Sequence, residues 1–184
     1  MKRIVSLFAA AALCLGLAAC GAGASASGSA AQPKDYPAIL QAARSQELND
    51  SYVVFHLKDG AYTASGAYAG ELSAEDIAMQ GEMCLQMLGL TAEDVTEAVY
   101  SVSLMNVQSY GVAIVKPAEG KAQAVTDGLQ TFIDGQKAAQ ENYLADQYAI
   151  AKAAKLETVP SGEVVLVMSE GQDEAFRSIK DALA

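Results

Sequence analysis

The sequence predicts an α+β domain: an antiparallel sheet built of hairpins, with helices packed on one face. Three observations lead there. Runs rich in β-branched and aromatic residues come in pairs, each pair joined by a few turn-forming residues. Longer segments, in which apolar residues recur every three or four positions, lie between the pairs. After residue 90 the order reads β-β-α-α-β-β-α, so that each hairpin leads into helix.

The elements follow in order. Asp35 to Glu47 is a helix, with Ile39, Ala42 and Ala43 at helical spacing and Pro37 in the first turn, where its missing N–H costs nothing. Tyr52 to Leu57 is a strand closed by Asp59-Gly60, a turn signal. Ala61 to Gly70 suits a loop or a weak hairpin arm. Ser73, with Asp76 three residues on, starts a helix as a capping box does, and Gly89 stops it. Ile77, Gly81, Cys84, Leu85 and Leu88 form its buried face, and Met79, Met83 and Met87 an adjoining stripe assigned to the core. Thr91 to Asp94 repeats the cap pattern for a single turn.

Val95 to Leu104 and Tyr110 to Lys116 are strands joined across Met105 to Ser109. Pro117 to Gly120 breaks the second strand. The longest helix follows, Lys121 to Tyr143 or beyond, with Val125, Leu129, Phe132, Ala139 and Tyr143 on its buried face. Gly128 and Gly135 each cost that helix about 1 kcal/mol relative to Ala, which implies close packing against a neighbour. Ala145 to Ala154 is a further helix. Leu156 to Val159 and Glu163 to Ser169 flank Pro160-Ser161-Gly162 as a second hairpin. Gln172 to Leu183 closes the chain as a helix buried through Phe176, Ile179 and Leu183. Residues 35–56 laid on 146–167 match at seven positions, most of them Ala or Val, which leaves an internal duplication open.

The N-terminal stretch sets where the chain is held. Lys2 and Arg3 precede an apolar run, Ile4 to Leu17, that is too short for the roughly 20 residues a spanning helix needs. Leu17-Ala18-Ala19-Cys20 resembles the lipobox of bacterial lipoproteins, which implies that residues 1–19 are a signal peptide and that Cys20 is lipidated. Residues 20–34, built largely of Gly, Ala and Ser, read as a flexible tether with a span of roughly 20 Å, and residues 35–184 as one domain. The expected location is the extracytoplasmic face of the cell membrane, with the lipid as anchor.

Without Lys2 and Arg3 the chain carries 10 basic and 22 acidic side chains, a net charge of −12. That balance opposes nucleic-acid binding and offers no polybasic patch for anionic lipid. Of the three cysteines, Cys14 leaves with the signal and Cys20 takes lipid, so Cys84 is unpaired and stability must come from packing.

Tyr110-Gly111-Val112-Ala113-Ile114-Val115-Lys116, the Gln136 to Tyr148 stretch and Gly162-Glu163-Val164-Val165-Leu166-Val167-Met168 carry a resemblance over residues 91–182. These residues resemble an uncharacterised family of small Gram-positive lipoproteins, of the Firmicutes type, defined only as a domain of unknown function. The resemblance implies a surface lipoprotein and brings no catalytic or binding residues with it.

The remaining candidates read as structural. His56, the single histidine, sits within a strand and reads as solvent-facing, since no Ser stands in a G-x-S-x-G elbow. Met79, Met83, Cys84 and Met87 offer soft ligands suited to Cu(I), but core packing explains them better. No metal site and no cofactor is expected. Tyr62 and Tyr68, set among Ser, Thr, Gly and Ala in the 61–70 loop, are the candidate binding residues. The sequence therefore favours a noncatalytic binding module for an envelope protein, a glycan or a small ligand. An envelope assembly component is the alternative, and a hydrolase with an unrecognised site a weaker one.

Overall fold

The computed structural model describes residues 34–184. The signal segment, the lipidation site Cys20 and the tether as far as residue 33 lie outside the described residues. Six strands, β1 (Val54–Lys58), β2 (Ala61–Ser65), β3 (Val95–Val102), β4 (Gly111–Pro117), β5 (Lys155–Thr158) and β6 (Val164–Met168), form one antiparallel sheet in the order β2-β1-β3-β4-β6-β5. Six helices flank it: α1 (Tyr36–Ala42), α2 (Gln46–Ser51), α3 (Ala74–Met87), α4 (Ala122–Gln140), α5 (Ala145–Lys152) and α6 (Gln172–Leu183). The α+β class and the antiparallel sheet are as the sequence predicts.

The helices lie on both faces rather than one. Phe55, Tyr100, Ala113, Leu166 and Met168 face α3, α4 and α5 through Cys84, Leu85, Leu129 and Ala151. Val54, Val99, Val112, Ile114, Val165 and Val167 face α1 and α6 through Tyr36, Leu40, Ile179 and Leu183. All five residues of β6 are buried, as are the first five of β4. A strand covered on both sides reads as an unbroken apolar run instead of an alternating one, and Val112-Ala113-Ile114-Val115 is such a run.

Local chemistry accounts for the turns and ends. Asp59 (φ 51°) and Gly60 (φ 75°) are both left-handed and make the two-residue turn that pairs Lys58 with Ala61, so the 61–70 segment opens as a true hairpin arm. The helix expected over 35–47 breaks in two. Ser45 accepts a hydrogen bond from the Leu48 N–H at 3.2 Å and caps α2, while α1 stops at Ala42. α3 begins at the Ser73–Asp76 capping box. It ends in a Schellman motif, in which the N–H groups of Gly89 and Leu90 donate to the carbonyls of Gln86 and Leu85.

Two readings of helix faces change. Met79, Met83 and Met87 are exposed at 61, 43 and 38 %, not in the core, whereas Cys84 is buried as expected. At about 100° per residue, the buried set Gly81, Cys84, Leu85 and Leu88 spans a narrow arc, and the three methionines fall on the far side of it. α4 stops at Gln140, which leaves Tyr143 beyond it and exposed; Ala139, still within the helix, is exposed too, while Ile133 and the polar Gln140 are buried in their place. Gly128 does meet a neighbour, since a Cβ there would stand 2.5 Å from the Gly89 carbonyl oxygen; Gly135 faces open space. The 35–56 and 146–167 segments are not equivalent in the fold: α1 and α5 lie on opposite faces, and β1 and β6 run in opposite directions.

Among the described residues no helix is long and apolar enough to cross a membrane. The chain enters the sheet at the end where β5 turns into β6. Lys34 donates to the Leu183 carbonyl and pairs with Glu163, and the Tyr36 hydroxyl donates to the same carboxylate at 2.7 Å. From there α1 runs toward the opposite end, where β3 and β6 finish and β1 and β4 begin.

Candidate functional site

That opposite end holds a cleft of about 870 Å³. One wall is the α1–α2 corner, with Ala43, Arg44, Glu47, Leu48 and Ser51. The other is the β6–α6 turn and the start of α6, with Ser169, Glu170, Glu174 and Ser178. Tyr52, Met105, Gln108, Tyr110, Gln147 and Ile150 contribute from between them. The volume lies within the range usual for small-molecule sites, roughly 300–1,000 Å³.

Its central feature is an arginine without a counter-charge. Tyr36 and Leu40, four apart, lie on the face of α1 that packs on the sheet, and Arg44, two residues past the end of that helix, is only 7 % exposed. Its Nε and Nη2 donate to Asn49 Oδ1 at 3.0 and 2.7 Å, and its Nη1 donates to Ser101 Oγ at 2.9 Å and Tyr110 Oη at 2.7 Å. All these acceptors are neutral. Among the described residues no carboxylate forms an ion pair with Arg44. Hydrogen bonding is thus nearly satisfied while the charge is not, an arrangement that costs several kcal/mol unless another charge approaches.

Around this cation the floor is aromatic and amide-lined. Tyr110 stacks on Tyr52 with ring centroids 4.1 Å apart and planes 17° from parallel. The Tyr52 hydroxyl donates to Gln108 Oε1, and burial raises the pKa of that phenol. Two glutamines hold the 103–110 loop in place. Gln140, at the end of α4, donates to the Asn106 carbonyl at 2.7 Å, and Gln147 Oε1 accepts from the Ser109 N–H at 2.8 Å. Both lie in the Gln136 to Tyr148 stretch, so that stretch sets the position of the cleft floor. The rim is acidic, with Glu47, Glu170 and Glu174 all exposed.

The sequence-derived candidates lie elsewhere. The Tyr62 ring covers Gly81, where a Cβ would stand 2.6 Å from it, and its hydroxyl is buried with no hydrogen-bond partner. Tyr68 is 47 % exposed beside a short 3-10 turn. The structure does not bring the two together in the cleft; Ala64 to Gly70, without either ring, lines a separate polar depression of about 480 Å³. His56 Nε2 lies 2.9 Å from Glu97, which also pairs with Lys58, and its side chain is 19 % exposed, more covered than the solvent-facing reading had it. Neither His56 nor Cys84 lines the cleft. Among the described residues no three His, Cys, Asp or Glu side chains converge as metal ligands.

Sequence reasoning missed Arg44, Tyr52, Gln108, Tyr110 and Gln147. One signal was present: Arg44 is the only Lys or Arg between Lys34 and Lys58, and it continues the buried Tyr36–Leu40 spacing.

Fold and site together define an α+β domain whose sheet is covered on both faces and whose one end opens into an arginine- and tyrosine-floored cleft. The chain belongs to the family of the domain of unknown function DUF4358, whose model matches residues 68–169, more than half of the chain. The match begins and ends earlier than the resemblance over 91–182 suggests. It takes in Met105, Gln108, Tyr110 and Gln147 of the cleft and leaves out α1, α2 and α6. No curated protein and no solved structure matches the chain.

Proposed function

We propose that the chain is an extracytoplasmic lipoprotein of the Gram-positive type, anchored through lipid on Cys20, whose domain is a noncatalytic module that binds a small ligand in the cleft. The observation that carries the binding reading is Arg44, a buried charge with no carboxylate partner among the described residues, at the floor of a cavity of ligand size. The basic start, the short apolar run and Leu-Ala-Ala-Cys support the anchor. The two parts fit one another. Lys34, where the described chain begins, is tied to the end of the sheet remote from the cleft, so an N-terminal anchor leaves the cleft open to the environment.

Nucleophilic catalysis needs a nucleophile bonded to an oriented base, and the serines lining the cleft have no histidine beside them. Mass spectrometry of the membrane fraction tests the anchor: a diacylated N-terminal Cys20 is expected, and an intact 1–19 segment contradicts it. Ser51→Trp tests the cleft. It should abolish the thermal stabilisation that the small-molecule fraction of an envelope digest gives the wild type, and unchanged stabilisation contradicts the site.

A specific observation favours a second reading, that of an envelope assembly component. Leu104, Met105 and Val107 are 49, 54 and 46 % exposed on the loop beside the cleft, an apolar tip suited to a protein partner. Leu104→Ser with Val107→Ser should then release that partner while leaving ligand binding intact.

A further inference from the structure

Apart from the cleft, we propose that the outer edge of β2 takes up an extended, Lys- or Arg-bearing segment of a partner protein as a further antiparallel strand. β2 is the last strand on its side of the sheet and, among the described residues, pairs with β1 alone. The two-residue Asp59-Gly60 turn makes Lys58 and Ala61 the closing hydrogen-bonded pair, and antiparallel pairing alternates from there. Ala61, Thr63 and Ser65 therefore turn their N–H and C=O groups to β1, while Tyr62 and Ala64 turn theirs outward. Among the described residues no other backbone group meets these four. They offer two donors and two acceptors, which is what strand addition uses.

The two edges of the sheet are built differently. β5, the other outer strand, carries Lys155 and Glu157, ion-paired with Asp173 and Lys180 of α6, and charged side chains keep an edge from pairing. β2, Ala-Tyr-Thr-Ala-Ser, has no charge, proline or glycine. Its surroundings decide what joins it. Asp59 stands in the turn before β2, and Glu82 follows Gly81, the residue that the Tyr62 ring covers. Burial and the Glu82 charge both raise the pKa of that phenol. At the other end, Ala64 and Ser65 open into the polar depression of about 480 Å³, which Asp50 also lines. All three carboxylates are exposed, and none is ion-paired among the described residues. A second copy of the chain would set its own three against them, whereas a basic strand meets attraction. In the antiparallel register the added residue opposite Tyr62 lies beside Glu82, and the one opposite Thr63 suits a β-branched side chain. The residues preceding the one opposite Ala64 lead into the depression.

The test uses the isotope-labelled chain from Cys20 to Ala184 and three blocked peptides: acetyl-Lys-Thr-Val-Thr-Lys-Thr-amide, the same with Glu for both Lys, and the same with Pro for Val. The readout is amide hydrogen exchange at Tyr62 and Ala64, whose outward N–H groups exchange fast in the free chain. The Lys peptide should slow both at least tenfold and leave the Gln108 and Gly171 signals unmoved, which keeps the result separate from the cleft. The Glu peptide should bind at least tenfold more weakly through charge. The Pro peptide should do the same, because the residue opposite Ala64 must donate an N–H. Ala64→Pro removes one outward donor without touching the pairing to β1 and should abolish the protection at Tyr62. Should that variant unfold, the exposed Glu82→Lys serves in its place: it should weaken the Lys peptide several-fold and strengthen the Glu peptide. Unchanged exchange with the Lys peptide, or equal binding of the Pro peptide, overturns strand addition. Equal binding of the Glu peptide overturns the basic partner. Protection that rises with chain concentration alone gives the edge to a second copy and overturns the proposal.

Discussion

Gly128 of α4 and Gly89, just past the end of α3, meet backbone to backbone: a Cβ on Gly128 would stand 2.5 Å from the Gly89 oxygen, and one on Gly89 would stand 2.8 Å from the Gly128 oxygen. Gly135, one heptad further along α4, has nothing within 4 Å of the same position. The two glycines of one helix therefore give opposite predictions. Gly135→Ala should stabilise the domain by about 1 kcal/mol through helix propensity. Gly128→Ala should destabilise it by about 1–3 kcal/mol, because backbone must move to admit the methyl group. Urea unfolding of the two variants beside wild type reads both signs at once.

Cys84, 1 % exposed and packed among Leu85, Leu88 and Tyr100, has its thiol pushed up to about 11 by burial. Labelling by an alkylating reagent at pH 8 should therefore be far slower in the folded protein than in urea. The sign of the linkage also follows. A thiol raised in the folded state contributes stability that is fully present below its unfolded value, about 8.5, and is lost as pH rises toward 11. The alkaline fall in melting temperature should be shallower in Cys84→Ala.

Glu163 is 4 % exposed, and burial alone would raise its carboxyl. Hydrogen bonds from the Ser161 and Tyr36 hydroxyls, with the charge of Lys34, outweigh burial and hold it below the usual glutamate range. A depressed carboxyl stabilises above its unfolded value of about 4.3 and loses that contribution as pH falls through the lower folded value. Glu163→Gln should cost about 1–3 kcal/mol near neutrality, and its deficit relative to wild type should shrink below pH 4. Melting curves from pH 7 to pH 3 supply the comparison. Because this cluster holds Lys34, the variant should also loosen the start of α1, seen as faster amide exchange at Leu40.

The exposed Met79, Met83 and Met87 should oxidise to sulfoxides with dilute peroxide without unfolding the domain. Replacing all three by Gln should change stability by less than about 1 kcal/mol. Circular dichroism after peroxide treatment decides between this surface stripe and a core one.

Which features were legible follows from how far each signal reaches along the chain. Caps and turns are local, so Ser73–Asp76, Asp59-Gly60 and the Gly89 stop could be read from neighbouring residues alone. Helix coverage of both faces was encoded too, in the unbroken run Val112 to Val115, but in a short strand such a run resembles any apolar segment. The far ends of helix faces were lost where a polar residue occupied a buried position. Gln140 in α4 reads as surface until its bond to Asn106 is seen. Arg44 was hidden in the same way, because a buried arginine with neutral partners has no sequence signature beyond its spacing from Leu40. The cleft joins residues from 42 to 178, and no local window contains it.

The central claim is that the cleft between the α1–α2 corner and the start of α6 is the ligand site. The most direct measurement is to add the small-molecule fraction of an envelope digest to isotope-labelled protein and map which signals move. Shifts should concentrate at Arg44, Tyr52, Gln108, Gln147 and Gly171, and should be lost in Ser51→Trp. Shifts centred on Tyr68 and the 61–70 segment, with the Arg44 and Gln108 signals unmoved, would contradict it.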